Sequence, residues 1–297
     1  MSAFKLATAQ YDIGFFSEWE DFADKLTNWV AEAVQQGAEL LVFPEYGSME
    51  LASLFGEAVY SDLQRQIHAM QTLLPKWHDL HAALAKCHNV MILASSFPTL
   101  QGGDYFVNRA NLFGPEGVID FQDKLMMTRF ENEQWHISSG DQIKVIDTDL
   151  GRLGIHICYD SEFPMIASQQ VTAGADLLLV PSCTDTQAGF HRVRIGCQAR
   201  ALENQCYVVQ SPTIGNASWS EAMDVNMGRA SVYTPVDYGF PDNGILVQGD
   251  NDDAGWVFAT LDLAEITRIR NQGQVFNHRD WPKQFALQGP DVKNAKV

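Results

Sequence analysis

The sequence of 297 residues is short of cysteine, short of basic side chains and without any long apolar run. Its five cysteines, Cys87, Cys158, Cys183, Cys197 and Cys206, are odd in number. None forms a CxxC pair or stands at metal-ligand spacing from a histidine, so neither a disulfide framework nor a zinc site is expected. Lys and Arg total 20 against 37 Asp and Glu, a formal charge of −17. A surface this acidic repels phosphate backbones and anionic membranes, and the longest basic grouping, Arg192-Val-Arg194, is too small to reverse that. No stretch approaches the roughly 20 apolar residues that span a bilayer. The first residues lack the charged-then-apolar pattern of a signal peptide. The expectation is a cytoplasmic protein with reduced thiols and with neither nucleic acid nor membrane as partner. Also missing are the G-x-S-x-G elbow, the P-loop, G-x-G-x-x-G and H-E-x-x-H.

What is present is a globular composition, 46% hydrophobic and 19% charged, which argues against disorder. Strand and helix periodicities alternate along it. Strands are expected at 4–10, 40–43, 90–94, 143–147, 153–157, 177–180, 207–210, 230–233, 245–248 and 256–261. Two more are expected between about 105 and 124, separated by the Gly114–Gly117 turn. Helical spacing marks Phe22, Leu26, Trp29, Val30 and Ala33, opened by a capping box of Ser17 and Glu20 and closed at Gly37. Further helices are read at 63–84 with a break at Pro75, after Pro164 to about Gly174, at 190–204 and at 263–270. The tail from about 272 reads as irregular. The alternation, with hairpins between, predicts an α/β protein with covered sheets. No linker divides it, so one domain over 1–297 is expected.

Three residues fall just past strand ends, where α/β proteins place their sites. Glu45 ends Leu-Leu-Val-Phe-Pro-Glu, Lys124 follows Phe-Gln-Asp, and Cys158 ends Gly-Ile-His-Ile-Cys. Alone, each has an ordinary reading: a solvated glutamate, a surface lysine, an inert buried thiol. His156 alternates with Ile155 and Ile157 and reads as a satisfied core histidine rather than a base. Glu131 and Glu133 share an acidic, aromatic loop. Pocket candidates past other strand ends are Tyr46, Tyr159, Ser182, Cys183 and Thr184, with Trp135 and Phe190 as walls.

Together these segments resemble the nitrilase superfamily of carbon–nitrogen hydrolases. The resemblance rests on Leu-Val-Phe-Pro-Glu45, Asp-Lys124-Leu, Glu133 before Gly140-Asp141, and Gly-Ile-His-Ile-Cys158-Tyr-Asp, in that order. Gly174-Ala-Asp-Leu-Leu-Leu-Val-Pro-Ser182, Ala199-Arg-Ala-Leu-Glu-Asn204 and Gly228-Arg-Ala-Ser231 extend it to nearly the whole chain. It implies a four-layer α-β-β-α sandwich, a homodimer or larger homo-oligomer, and no metal or organic cofactor. Carried over by position, Cys158 is the nucleophile, Glu45 the general base and Lys124 the oxyanion stabiliser. The second glutamate is Glu133 by its spacing to Gly140-Asp141, with Glu131 as the alternative.

The chemistry agrees with that assignment. A free thiol, with a pKa of about 8.5, needs a base before it can attack a carbonyl. The oxyanion that follows needs donors, here Lys124 and the Tyr159 N–H; loss of one such donor costs about 3 kcal/mol. Cys158-Tyr159-Asp160 departs from the Cys-Trp-Glu of true nitrilases and looks amidase-like. The expected activity is hydrolysis of a linear amide, ω-amide or N-carbamoyl compound. Acyl transfer, ammonia supply as a glutaminase and a non-catalytic binding role are the alternatives.

Overall fold

The computed structural model describes residues 3–250 and 253–287. Strands β1 (Phe4–Asp12), β2 (Leu40–Val42), β3 (Met91–Leu93), β4 (Phe97–Gly102), β5 (Tyr105–Gly114), β6 (Gly117–Asp123) and β7 (Ile137–Ser138) come first. They are followed by β8 (Ile146–Thr148), β9 (Gly151–Ile155), β10 (Leu177–Ser182), β11 (Tyr207–Asn216), β12 (Val225–Asn226), β13 (Ser231–Tyr233), β14 (Ile245–Gln248) and β15 (Gly255–Leu261). The main path runs β4-β5-β3-β2-β1-β11-β10-β9-β8.

Strand β1 joins two halves of this path. From Phe4 to Gln10 it pairs antiparallel with β15, and at Tyr11 and Asp12 it passes to β11. The sheet curls there, so its halves face each other. Between them lies a dry layer that includes Leu6, Leu40, Val42, Leu93 and Leu112 from one half and Leu153, Ile155, Leu177, Leu179 and Val209 from the other. Truncating one of these, such as Leu179→Ala, costs roughly 2–5 kcal/mol.

Helices cover both outer faces. Trp19–Gln35, Leu63–Met70 and Leu74–His88 pack on the first half, and Pro164–Thr172 and Gln187–Asn204 on the second. The result is the expected α-β-β-α sandwich. It explains why β10, buried at all six residues, reads as an unbroken apolar run rather than an alternation.

Local signals account for most boundaries. Phe22, Leu26, Val30 and Ala33 form the buried stripe of the first helix. That helix starts at Trp19 behind Glu18, with no side-chain cap, so the Ser17–Glu20 box is not used. Pro75 sits in the first turn of Leu74–His88, where a missing N–H is harmless, so the break expected at Pro75 falls just before it, between Met70 and Leu74. The strand expected at 143–147 begins later, at Ile146, and runs on to Thr148, and the one at 153–157 begins earlier, at Gly151, and stops at Ile155. His156 and Ile157 lie beyond its end; His156 is fully buried and its Nε2 meets Gln170 Oε1 at 2.6 Å. The tail departs from its irregular reading, with short helical turns at Asn277–Asp280 and Trp281–Leu287. Among the described residues no helix is long and apolar enough to cross a membrane.

One close approach bears on the site. A Cβ on Gly196 would lie 2.8 Å from the Ser161 carbonyl oxygen. The bare glycine lets the Gln187–Asn204 helix lie directly against the turn that carries Cys158.

Candidate active site

Four segments converge at one end of the sandwich. Glu45 lies three residues past β2, and the next residue, Tyr46, adopts a left-handed backbone with its N–H on Ser96 Oγ at 2.9 Å. Lys124 directly follows β6, its N–H on the Asn108 carbonyl of β5 at 2.9 Å. Cys158 opens a 3₁₀ turn, Cys158–Glu162, after β9.

Cys158 also has a positive φ, 50°. That conformation strains any residue with a Cβ, by roughly 1–2 kcal/mol. Local hydrogen bonds hold it. Ser161 Oγ donates to the Cys158 carbonyl at 2.6 Å, and Asp160 Oδ2 accepts the Ile157 N–H at 3.0 Å. The same Asp160 carboxylate accepts the Leu125 N–H at 3.1 Å and the Met126 N–H at 2.7 Å. It therefore ties the Cys158 turn to the loop after Lys124.

The side chains form a buried ionic cluster. Lys124 Nζ lies 2.7 Å from Glu45 Oε1, and 2.8 and 2.7 Å from the two oxygens of Glu131. Glu131 also accepts from the Tyr46 hydroxyl at 2.7 Å, and from the Thr128 N–H and hydroxyl at 2.9 and 2.8 Å. Asn108 Nδ2 donates to Glu45 Oε1 at 3.0 Å. The Cys158 thiol lies 3.6 Å from the Cys183 carbonyl, and its electrostatics couple to Glu45.

Burial and charge set the protonation states. Burial pushes the Glu45 carboxyl up, with the Glu131 charge adding and Lys124 opposing, to about 7. Burial acts on Glu131 in the same sense, but Lys124, Thr128 and Tyr46 outweigh it and hold Glu131 below the usual carboxylate range. Burial opposes the Lys124 ammonium, yet Glu131, Glu45 and Cys158 outweigh it and keep Lys124 charged. Burial and the Glu45 charge raise Cys158 well above an ordinary thiol, with Lys124 opposing. At neutral pH the cluster thus holds a neutral thiol, a fixed cation, a fixed anion and one carboxyl that can go either way.

Glu45, Lys124 and Cys158 are brought together; Glu133 is not. Its side chain is 55% exposed and pairs with Arg129 at 2.9 Å. The buried glutamate is Glu131. The reason is local. Thr128 catches Glu131 as in a capping box, and the π-helical turn Glu131–Trp135 leaves Glu133 on the outside, on the same face as Arg129. Thr128-x-x-Glu131 and Arg129-x-x-x-Glu133 are both legible spacings, and weighing them would have reversed the choice.

A cavity of about 670 Å³ adjoins the cluster, reaching Glu45, Lys124 and Glu131. Five of the proposed pocket residues, Tyr46, Trp135, Tyr159, Cys183 and Thr184, line it. Ser182 does not; it is buried, with its hydroxyl 3.4 Å from the Ser211 carbonyl, because it still belongs to β10 and faces the neighbouring strand. Phe190 is also buried away from the lining. Sequence reasoning missed Asn108, a polar residue in the middle of an apolar strand, and the bracing role of Asp160. Among the described residues no group of three or more His, Cys, Asp or Glu is placed to hold a metal.

A curled α-β-β-α sandwich with a thiol, a lysine and a carboxyl just past its strand ends, and a second carboxyl on a nearby helical turn, is the arrangement of the nitrilase superfamily class. The chain belongs to the carbon–nitrogen hydrolase family, whose pattern it matches over residues 5–271. It is 34% identical over 276 residues to "Probable hydrolase YhcX" of Bacillus subtilis, covering 93% of this chain and 53% of that protein. The chain therefore spans about half the length of that relative. It is 25% identical over 291 residues to human "Omega-amidase NIT2", covering 94% of this chain and 96% of that one. Among solved structures, Saccharomyces cerevisiae Nit3 superposes with a TM-score of 0.73 at 22% identity, covering 90% of this chain and 93% of Nit3.

Proposed function

We propose that the protein hydrolyses the carbon–nitrogen bond of a small linear amide, ω-amide or N-carbamoyl compound through a thioester on Cys158. The observation that carries the reading is the single buried cluster of Cys158, Glu45, Lys124 and Glu131 beside a cavity. The ω-amidase relative supports the amide class, and so does Tyr159-Asp160 after the cysteine.

In this reading Glu45 takes the thiol proton as sulfur attacks the carbonyl carbon. The oxyanion is stabilised by the Lys124 ammonium and the Tyr159 N–H. The C–N bond breaks as Glu45 returns the proton to the leaving nitrogen, and ammonia or an amine departs. Glu45 then takes a proton from water, which attacks the thioester. The second tetrahedral intermediate expels sulfur, which recovers the proton, and the acid leaves. A carboxyl near neutrality suits a group that must accept and return a proton twice. Glu131 keeps Lys124 charged and in place throughout.

The test is ammonia release from a panel of ω-amides, aliphatic amides, carbamoyl compounds and nitriles, with Cys158→Ala as control. Release from amides or carbamoyl compounds that vanishes in the control supports the proposal. Release from nitriles alone, or release that survives the substitution, overturns it.

A further inference from the structure

The Lys124 and Asn108 donors to Glu45 both fall on one of its two oxygens. Oε1 receives both the Lys124 ammonium at 2.7 Å and the Asn108 amide at 3.0 Å. Cys158 acts on the same carboxyl and favours its ionised form. Asn108 is fully buried, and its carbonyl also anchors the Lys124 N–H at 2.9 Å. One residue of β5 therefore holds both the base and the cation, the first by its side chain and the second by its backbone.

The amide orientation is dictated chemically. Turning it over would set Oδ1 against a carboxylate oxygen, acceptor to acceptor. In the orientation observed Oδ1 is buried without a partner.

We infer that Asn108 is a positioning residue for the proton shuttle: by donating to Oε1 of Glu45 it fixes the orientation of the carboxyl beside Lys124 and favours its ionised, proton-accepting form. The inference rests on the proposed role of Glu45 as base. The groups facing Glu45 are Lys124 after β6, Glu131 on the π-helical turn, Cys158 on its 3₁₀ turn, Cys183 after β10 and Tyr46 beside it. Lys124 is the one cation among them. Without Asn108 the ionised carboxyl loses one donor to Oε1, so it should ionise at higher pH.

The experiment uses a probe that needs no substrate. The rate of Cys158 alkylation by iodoacetamide is followed by mass spectrometry from pH 5 to 9, for the wild type, Asn108→Leu and Asn108→Asp. The expected result is an acid limb moved upward by about one pH unit in Asn108→Leu, and further in Asn108→Asp, which adds a negative charge. Limbs that coincide with the wild type, or rates that fall equally at all pH values, would overturn the inference in favour of a packing role. Should Asn108→Leu fail to fold, the isosteric Asn108→Asp carries the test. A moved limb in a protein that hydrolyses no amide would uphold Asn108 and remove the proposed substrate class instead.

Discussion

Glu131 and Glu133 stand on one helical turn, two residues apart, and face different media. Glu131 is buried, holds Lys124 through both oxygens and stays ionised although burial opposes it. Glu133 is half-exposed and meets Arg129 in water, in an ion pair that a solvated helix surface makes readily. The residue type is the same and the charge is the same. What differs is the cost of moving the charge: high in the interior, where each group holds the next, and low at the surface, where solvent replaces any partner.

The widest separation is expected in turnover. Cys158→Ala should abolish ammonia release, and any substantial residual release would break the assignment of the inner cluster as reactive. Glu131→Gln should slow turnover by roughly 10²–10³-fold, since it releases the cation that faces the oxyanion. Glu133→Gln should leave the rate essentially unchanged. Steady-state kinetics on the two variants, with one substrate, would decide the comparison, and the reverse order would return the catalytic role to Glu133.

Stability should separate the same regions. Lys124→Met strands two buried carboxyls and should cost roughly 3–5 kcal/mol in a denaturant titration. Adding Glu131→Gln to that variant should recover part of the loss, because one stranded charge is removed. Arg129→Ala should leave the unfolding midpoint close to that of the wild type.

The smallest effect is a pH dependence. Glu45 titrates at about 7 in the folded protein, against an ordinary 4.5. The folded state therefore binds this proton more tightly than the unfolded chain. Its contribution to stability is complete below about 4.5 and is lost as pH rises through about 7. Glu45→Gln should flatten that part of the curve and gain on the wild type as pH rises from 5 to 8, at the expense of activity. A wild-type slope retained in the variant would place the titration elsewhere.

Much of this molecule was legible in its residues. The periodicities marked most strands and helices, and the alternation indicated covered sheets. Each of Glu45, Lys124 and Cys158 follows a strand, a position that a one-dimensional pattern can locate, but only the family resemblance joined them into one site. The choice between Glu131 and Glu133 went astray because spacing to Gly140-Asp141 was weighed above the contacts of Thr128 and Arg129, which are nearer in the chain. Ser182 was placed in the pocket because the length of β10 was underestimated.

Other features were written in no local pattern. Asn108 lies 63 residues from the carboxyl it holds, and Asp160 braces a loop 34 and 35 residues before it. Neither position has a periodicity or motif that names its partner. The sequence by itself determined the order of most strands and helices, the thiols' lack of close pairing and which strand ends carry Glu45, Lys124 and Cys158, because those depend on neighbours along the chain. Only the tertiary structure decided which glutamate is buried, which oxygen of Glu45 is occupied and how readily each group holds its proton. Those depend on desolvation and on charges brought close by the curl of the sheet, and both arise only when distant strand ends meet.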